Sequence, residues 1–88
     1  MPSFLLELYL PRGGSLEEAV ARARGLARAA AGAGLSVRYL RSLHLAEEET
    51  CFHVLEAPSR EALLEAARTC GLADARVIET VEKEGEEA

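Results

Sequence analysis

Two segments of helical periodicity, each bounded by a serine and a glycine, alternate with short apolar segments along this chain of 88 residues. After Ser15, apolar residues recur every three or four positions as far as the glycines of residues 32–34, and "SLEE" (15–18) fits a capping box. The second segment starts at Ser59 and stops before Gly71, a residue suited to the left-handed conformation at a helix end. The sequence therefore predicts two helices with defined ends.

Four short apolar or alternating segments flank these helices, at residues 4–10, 35–45, 50–57 and 74–82. Segments of this length and pattern are typical of strands. The order β-α-β-β-α-β predicts a ferredoxin-like α+β fold, in which an antiparallel sheet of strand order 4-1-3-2 carries both helices on one face. We expect one domain over residues 1–82 and a charged flexible tail over 83–88.

The hairpin between the second and third strands sets which residues oppose each other. A turn centred on Glu47 and Glu48 pairs Leu43 with Phe52 and Leu45 with Thr50. Alternation then predicts that the apolar odd positions of the second strand and the apolar even positions of the third face the helices. The odd set is Leu35, Val37, Tyr39, Leu43 and Leu45, the even set is Phe52 and Val54, and Arg41 shares their face.

The ten residues "HLAEEETCFH" (44–53) hold both histidines and one of the two cysteines. The same register pairs His44 with Cys51 and Ser42 with His53, so we expect these side chains to be neighbours on the uncovered face of the sheet. Imidazole and thiolate suit nickel or zinc, and Glu7 of the first strand could add a carboxylate. Three interpretations remain open: a metal site, a Cys51–His44 nucleophile pair, and polar residues of a hairpin without a ligand.

The uncovered face has no further element to bury it. By alternation it carries Leu5, Tyr9, Leu40 and Leu55. An exposed apolar patch on a small protein marks an interaction surface. We therefore expect a homodimer that is formed through the open sheet face.

The net charge, the hydropathy and the cysteine content argue against several classes of protein. The net charge of −5 argues against nucleic acid and anionic membranes as partners. No apolar run is long enough for a transmembrane helix, and two cysteines are too few for a disulfide framework. We expect a cytoplasmic protein with reduced thiols, in which Cys70 is a buried apolar residue.

From residue 4 to residue 81 the chain resembles a small bacterial family of ferredoxin-like proteins of largely unknown function, some members of which are called nickel-binding. The resemblance is carried by "FLLELYLPRG", "YLRSLHL" and "CFHVLEAPSREALLEAARTCGL". It implies the same fold, a dimer and nickel as a candidate ligand. The family often has Tyr, Cys and His where this chain has Leu43, His53 and Ala66, and His44 and Cys51 match no family position.

These observations predict a small homodimeric binding module, with nickel or zinc as its candidate ligand, rather than an enzyme. The alternative is a small dimeric α+β-barrel enzyme that acts on an organic ligand in the cleft between helices and sheet. A cavity lined by apolar groups and one or two convergent polar groups would favour that alternative.

Overall fold

The computed structural model describes residues 1–81 and residue 85. The predicted tail, residues 83–88, falls outside these except for residue 85. The elements are listed here in chain order: β1 Ser3–Tyr9, α1 Leu16–Gly32, β2 Arg38–Leu45, a short 3-10 turn Ala46–Glu48, β3 Thr50–Glu56, α2 Arg60–Thr69 and β4 Arg76–Thr80. The predicted element order is confirmed, while β2 and β4 are shorter than predicted.

Both helix starts are capped as predicted. The Ser15 hydroxyl accepts a hydrogen bond from the Glu18 backbone N–H at 3.1 Å, and the Ser59 hydroxyl accepts one from Ala62 at 3.1 Å. Each bond satisfies one of the backbone donors that a helix start leaves unpaired. After α2, Gly71 adopts φ +76°, which a side chain with a Cβ atom would resist.

The four strands form one antiparallel sheet of order β2-β3-β1-β4. This is the predicted order read from the opposite edge, and it is consistent with a ferredoxin-like fold. Both helices pack on the same face, because one core cluster joins Phe4 and Leu6 of β1 to Leu26 of α1 and Leu63 of α2. In the described part of the chain, no helix has the length and apolar character needed to cross a membrane.

The hairpin register is confirmed, but its predicted orientation is wrong. Leu43 opposes Phe52, Ser42 opposes His53 and His44 opposes Cys51, as expected. However, Leu6 of β1 opposes His53, and both side chains are fully buried under the helices. Leu43 is 48% exposed and lies on the uncovered side, where Phe52, Val54, Leu45 and Arg41 also lie.

Two features explain the reversal. In the central strand β1, Phe4 and Leu6 face the helices, and the pairing of β1 with β3 turns Cys51, His53 and Leu55 to the same side. In β2, a bulge between Tyr39 and Arg41 adds one residue, so that Tyr39 faces the helices and Leu43 does not. Because side chains alternate with a period of two, a single extra residue exchanges the faces of everything that follows it.

Leu55 is therefore a core residue rather than a residue of the uncovered face. It is fully buried, and Phe4 opposes it on β1. Leu40 is the extra residue of the bulge and is half-buried. Cys70 is half-buried and packs against the main core cluster, so its predicted full burial is only partly realised.

Candidate functional site

The β2 bulge brings two polar side chains to the helix-covered face. Tyr39 opposes Leu55 and Arg41 opposes Val54, which leaves Leu40 without a partner on β3. Tyr39 and Ser42 therefore lie on one face although they are three residues apart, a spacing that regular alternation would place on opposite faces. Bulges commonly re-aim side chains in this way.

A chain of polar contacts runs from Tyr39 to Cys51, and we call it the buried polar chain. The Tyr39 hydroxyl lies 2.5 Å from Ser42 Oγ, and Ser42 Oγ lies 2.6 Å from His53 Nδ1. The other ring nitrogen, His53 Nε2, lies 4.0 Å from Cys51 Sγ. His53 and Cys51 are fully buried, whereas Tyr39 and Ser42 are half-buried, so the chain leads from the core to the protein surface.

Aromatic and cationic groups surround the outer end of this chain. The Tyr39 ring meets the His53 ring edge-on, with centroids 6.1 Å apart and planes inclined by 72°. On the helix side, the guanidinium carbon of Arg24 lies 6.0 Å from the Tyr39 ring centroid, at the outer limit of a cation–π contact. These contacts hold the tyrosine against the sheet, with its hydroxyl directed at Ser42.

Burial favours the neutral form of both titratable groups at the inner end of the chain. Desolvation lowers the pKa of His53 below the ordinary value of an imidazole. Desolvation also raises the pKa of the Cys51 thiol above its ordinary value. A thiolate–imidazolium pair is therefore disfavoured, and the inner end holds a neutral imidazole beside a thiol.

A neutral imidazole can satisfy the chain in two directions, because it has one donor and one acceptor nitrogen. In the first, Tyr39 donates to Ser42, Ser42 donates to Nδ1, and the Nε2–H group faces the Cys51 sulfur. In the second, the Cys51 thiol faces Nε2 as a donor, Nδ1–H donates to Ser42, and Ser42 donates to the Tyr39 oxygen. Within the described residues, no buried side-chain nitrogen or oxygen lacks a hydrogen-bond partner.

The four predicted site residues do not form one group. Cys51 and His53 are neighbours, as predicted, but on the helix-covered face. His44 shares that face, and its Nε2 lies 3.3 Å from the Leu10 carbonyl oxygen, to which it donates. Glu7 lies on the uncovered face, where it forms an ion pair with Arg76 at 3.6 Å, so it cannot complete a shell with the other three.

The geometry argues against both a nucleophilic Cys51 and a metal site. A reactive cysteine needs a lowered pKa, and burial raises that of Cys51. For residues 1–81 and 85, no three His, Cys, Asp or Glu side chains are grouped so that they could hold one metal ion. Sequence reasoning placed Ser42 beside His53 but missed Tyr39, because only the bulge brings its hydroxyl to Ser42.

The cleft expected for an organic ligand has a small counterpart at the start of α1. A cavity of about 190 Å³ lies there, lined by Leu10, Gly14, Ser15, Glu18, Ala19 and Arg22. Leu10 and Ala19 also pack on Cys51, but the buried polar chain does not contribute to the cavity lining. The polar chain and the cavity therefore do not form one site.

The second candidate site is the uncovered side of the sheet, which we call the open face. Apolar side chains are present on all four strands of this face, and two ion pairs lie among them, one between β2 and β3 and one between β1 and β4. The apolar members are Leu5 and Tyr9 of β1, Leu43 and Leu45 of β2, Phe52 of β3, and Ile78 of β4, whereas Val54 of β3 is on the same side but is only 2% exposed. The ion pairs are Arg38–Glu56 and Arg76–Glu7, each at 3.6 Å. Apolar side chains combined with charged groups are usual in protein–protein interfaces.

No protein-family model and no curated protein matches this sequence.

Proposed function

We propose that this protein is a homodimeric binding module in which two chains associate through their open faces. The observation that carries the proposal is the group of exposed or half-buried apolar side chains that is distributed over all four strands on the side without helices. Tyr9 is 70% exposed on this face and Leu43 is 48% exposed. Exposed aromatic and leucine side chains that form one patch, rather than scattered single residues, indicate an interaction surface.

The two-layer architecture supports a second sheet as the occupant of the open face. The molecule measures only 18 Å along its shortest axis, which is the thickness of one helix layer on one sheet. Sheets pack face to face at a separation of about 10 Å, and their inner side chains then interdigitate. A second copy of this chain offers an apolar face of the same size, so a two-fold axis makes the surface self-complementary.

The energetic gain of association comes from the exposed leucines and aromatic residues. Fully burying a leucine removes enough apolar surface from water to contribute about 1.5–3 kcal/mol. Leu43 and Leu45 are both exposed by more than two fifths in the single chain, so they retain much of this contribution for association. A chain of 88 residues has a small core, and burial of this face would add to it.

The proposal is tested by measuring the mass in solution of the wild type and of Leu43→Asp by analytical ultracentrifugation. We expect a dimer for the wild type and a folded monomer for the variant, because the aspartate would be desolvated in the interface. Leu64→Asp on α2 is the matched control: Leu64 is also partly exposed, but it lies on the other side of the molecule, and its variant should remain dimeric.

Circular dichroism of each variant separates loss of assembly from loss of fold. A monomeric wild type at micromolar concentration would overturn the proposal. A wild-type dimer that survives both Leu43→Asp and Phe52→Asp would show that the chains associate through a different surface.

A further inference from the structure

The pairing of β2 with β3 shifts by one residue in the middle of β2. Before the bulge Tyr39 opposes Leu55, and after it Ser42 opposes His53, so a step of three residues along β2 matches a step of two along β3. Because side chains alternate with a period of two, the extra residue exchanges the faces of everything between the bulge and the turn. Leu43 therefore lies on the open face instead of sharing the covered face with Tyr39.

The sequence of β2 also fits a regular register without the bulge. That register continues the pairing found before the bulge, so that Arg41 would oppose His53 and Leu43 would oppose Cys51 under the helices. Leu45 would enter the turn, which would lengthen by one residue. The alternation of β2 predicts this register, because its apolar odd positions are Leu35, Val37, Tyr39, Leu43 and Leu45.

The buried polar chain exists only in the bulged register. There, Ser42 Oγ lies 2.6 Å from His53 Nδ1 and 2.5 Å from the Tyr39 hydroxyl. In the regular register Ser42 would oppose Phe52 and turn to the open face, where it could reach neither group. The fully buried His53 ring would then lose its partner at Nδ1, and a buried nitrogen without a partner costs free energy.

Arg41 favours the same register for a different reason. In the bulged register it is exposed on the open face and has an interaction partner. In the regular register its guanidinium would turn under the helices, opposite the buried His53, where a charge is costly unless it is paired. Burial of Leu43, which is 48% exposed in the bulged register, acts in the opposite direction. The choice of register therefore depends on a balance of opposing contributions.

We propose that the buried polar chain is a register lock, meaning that its hydrogen bonds hold β2 in the bulged register, the one that presents Leu43 to a second chain. This inference rests on the proposed dimer, and it assigns positioning roles to Ser42 and Tyr39 on the opposite face of the sheet. In the regular register the open face would carry Ser42 and His44 in place of the leucines, so its apolar surface would be reduced. Hydrogen bonds on the covered face thus determine which side chains are available for association.

Association and register are coupled in both directions. A dimer that forms only from bulged chains stabilises the bulged register, and any change that depopulates this register weakens the dimer by the same free energy. Because both chains must be bulged, the apparent dissociation constant rises with the inverse square of the bulged fraction. A fraction reduced to about one third raises the constant about tenfold.

The first test removes the middle of the register lock. Ser42→Ala abolishes both contacts of the Ser42 hydroxyl, so we expect the dissociation constant from sedimentation equilibrium to rise about tenfold or more. Tyr39→Phe keeps the Ser42–His53 contact and should raise it less. Leu63→Ala on α2 is the matched control for lost stability: Leu63 is fully buried but lies outside β2 and β3, and its variant should keep the wild-type constant.

Deletion of Leu40 separates the register from stability. Without Leu40, the pairs on either side of the bulge join into one regular ladder, and alternation alone keeps Leu43 on the open face. The deletion combined with Ser42→Ala should therefore dimerise with nearly the wild-type dissociation constant. If the deletion variant loses its fold by circular dichroism, or if it does not restore dimerisation to Ser42→Ala, the register lock is wrong.

Cross-strand nuclear Overhauser effects report the register directly, whether or not the chains associate. The wild type should show backbone contacts between Ser42 and His53, and in Ser42→Ala contacts between residues 41 and 53 should replace a measurable part of them. If Ser42→Ala keeps both the wild-type contacts and the wild-type dissociation constant, the register lock is wrong and the sheet dimer stands. A monomeric wild type instead removes the proposed function, and the lock's role in assembly with it.

Discussion

The two faces of the sheet differ in a way that reverses the simple expectation from their composition. The helix-covered face contains the buried polar chain, with two of its members fully buried. The open face exposes Tyr9, Leu43 and Leu45 to solvent. The comparison teaches that polar residues can occupy the core when they satisfy one another's hydrogen bonds, and that the exposed apolar residues of a small protein can be grouped on one face, where they mark a candidate interaction surface.

The sharpest contrast between the faces lies in two leucines of neighbouring strands. Leu55 is fully buried under the helices, whereas Leu43 lies on the open face. We expect Leu55→Ala to lower the free energy of unfolding by about 2–5 kcal/mol, because it leaves a cavity in the core. Urea denaturation measures this loss. Leu43→Ala, compared at a concentration where the protein is monomeric, should cost far less, and equal losses would mean that the faces are assigned wrongly.

The contribution of the buried polar chain to the free energy of unfolding should depend on Ser42, which contacts both Tyr39 and His53. Ser42→Ala removes the partner of both the Tyr39 hydroxyl and His53 Nδ1. We expect a loss of about 1–3 kcal/mol in the free energy of unfolding, because a buried ring nitrogen is left without a partner. Tyr39→Phe keeps the Ser42–His53 contact and should cost less. If Ser42→Ala is neutral in chemical denaturation, the chain does not stabilise the covered face.

Protonation of His53 should weaken the covered face as the pH falls. Burial lowers the pKa of His53 in the folded protein, so below about pH 6.5 the unfolded chain takes up a proton that the folded chain does not. The stabilising effect of the neutral imidazole is complete above the unfolded pKa and is lost as the pH falls towards the folded pKa. The slope is at most about 1.4 kcal/mol per pH unit for one proton.

Thermal denaturation between pH 7 and pH 5 tests this dependence, above the range in which most carboxylates titrate. His53→Leu removes the buried imidazole and should flatten the profile. A wild-type profile that is already flat in this range, or a slope unchanged in His53→Leu, would exclude His53 as its source.

Metal binding is the smallest expected effect. Cys51 and His53 provide two adjacent donors, His44 donates to the Leu10 carbonyl, and Glu7 lies on the other face. Structural zinc sites use four ligands, so we expect calorimetric titration of zinc or nickel into protein without a histidine tag to show no saturable binding in the micromolar range. Saturable binding that is lost in His53→Ala would instead show that the covered face rearranges around a metal ion.

The elements, their caps and the hairpin register could be predicted from the sequence, because local patterns determine them. Ser15 and Ser59 cap the helices as their positions predict, and the turn after Leu45 pairs Leu43 with Phe52. Which side of the hairpin faces the helices was harder to predict from the sequence. One signal was present: Cys51 and Leu55 of β3, together with Ala57 directly after it, form a larger apolar set than Phe52 and Val54 do, and all three are fully buried.

Only the tertiary structure decided which face of the hairpin lies under the helices. A period-two pattern groups residues by face, but it does not state which group is covered, and one extra residue exchanges the groups. That choice depends on the contact of β3 with β1, where Leu6 meets His53 across more than forty residues of sequence, and on the bulge at Leu40. Since these contacts are non-local, the sequence by itself determined the neighbours of His53, whereas the packed sheet determined that this residue is buried.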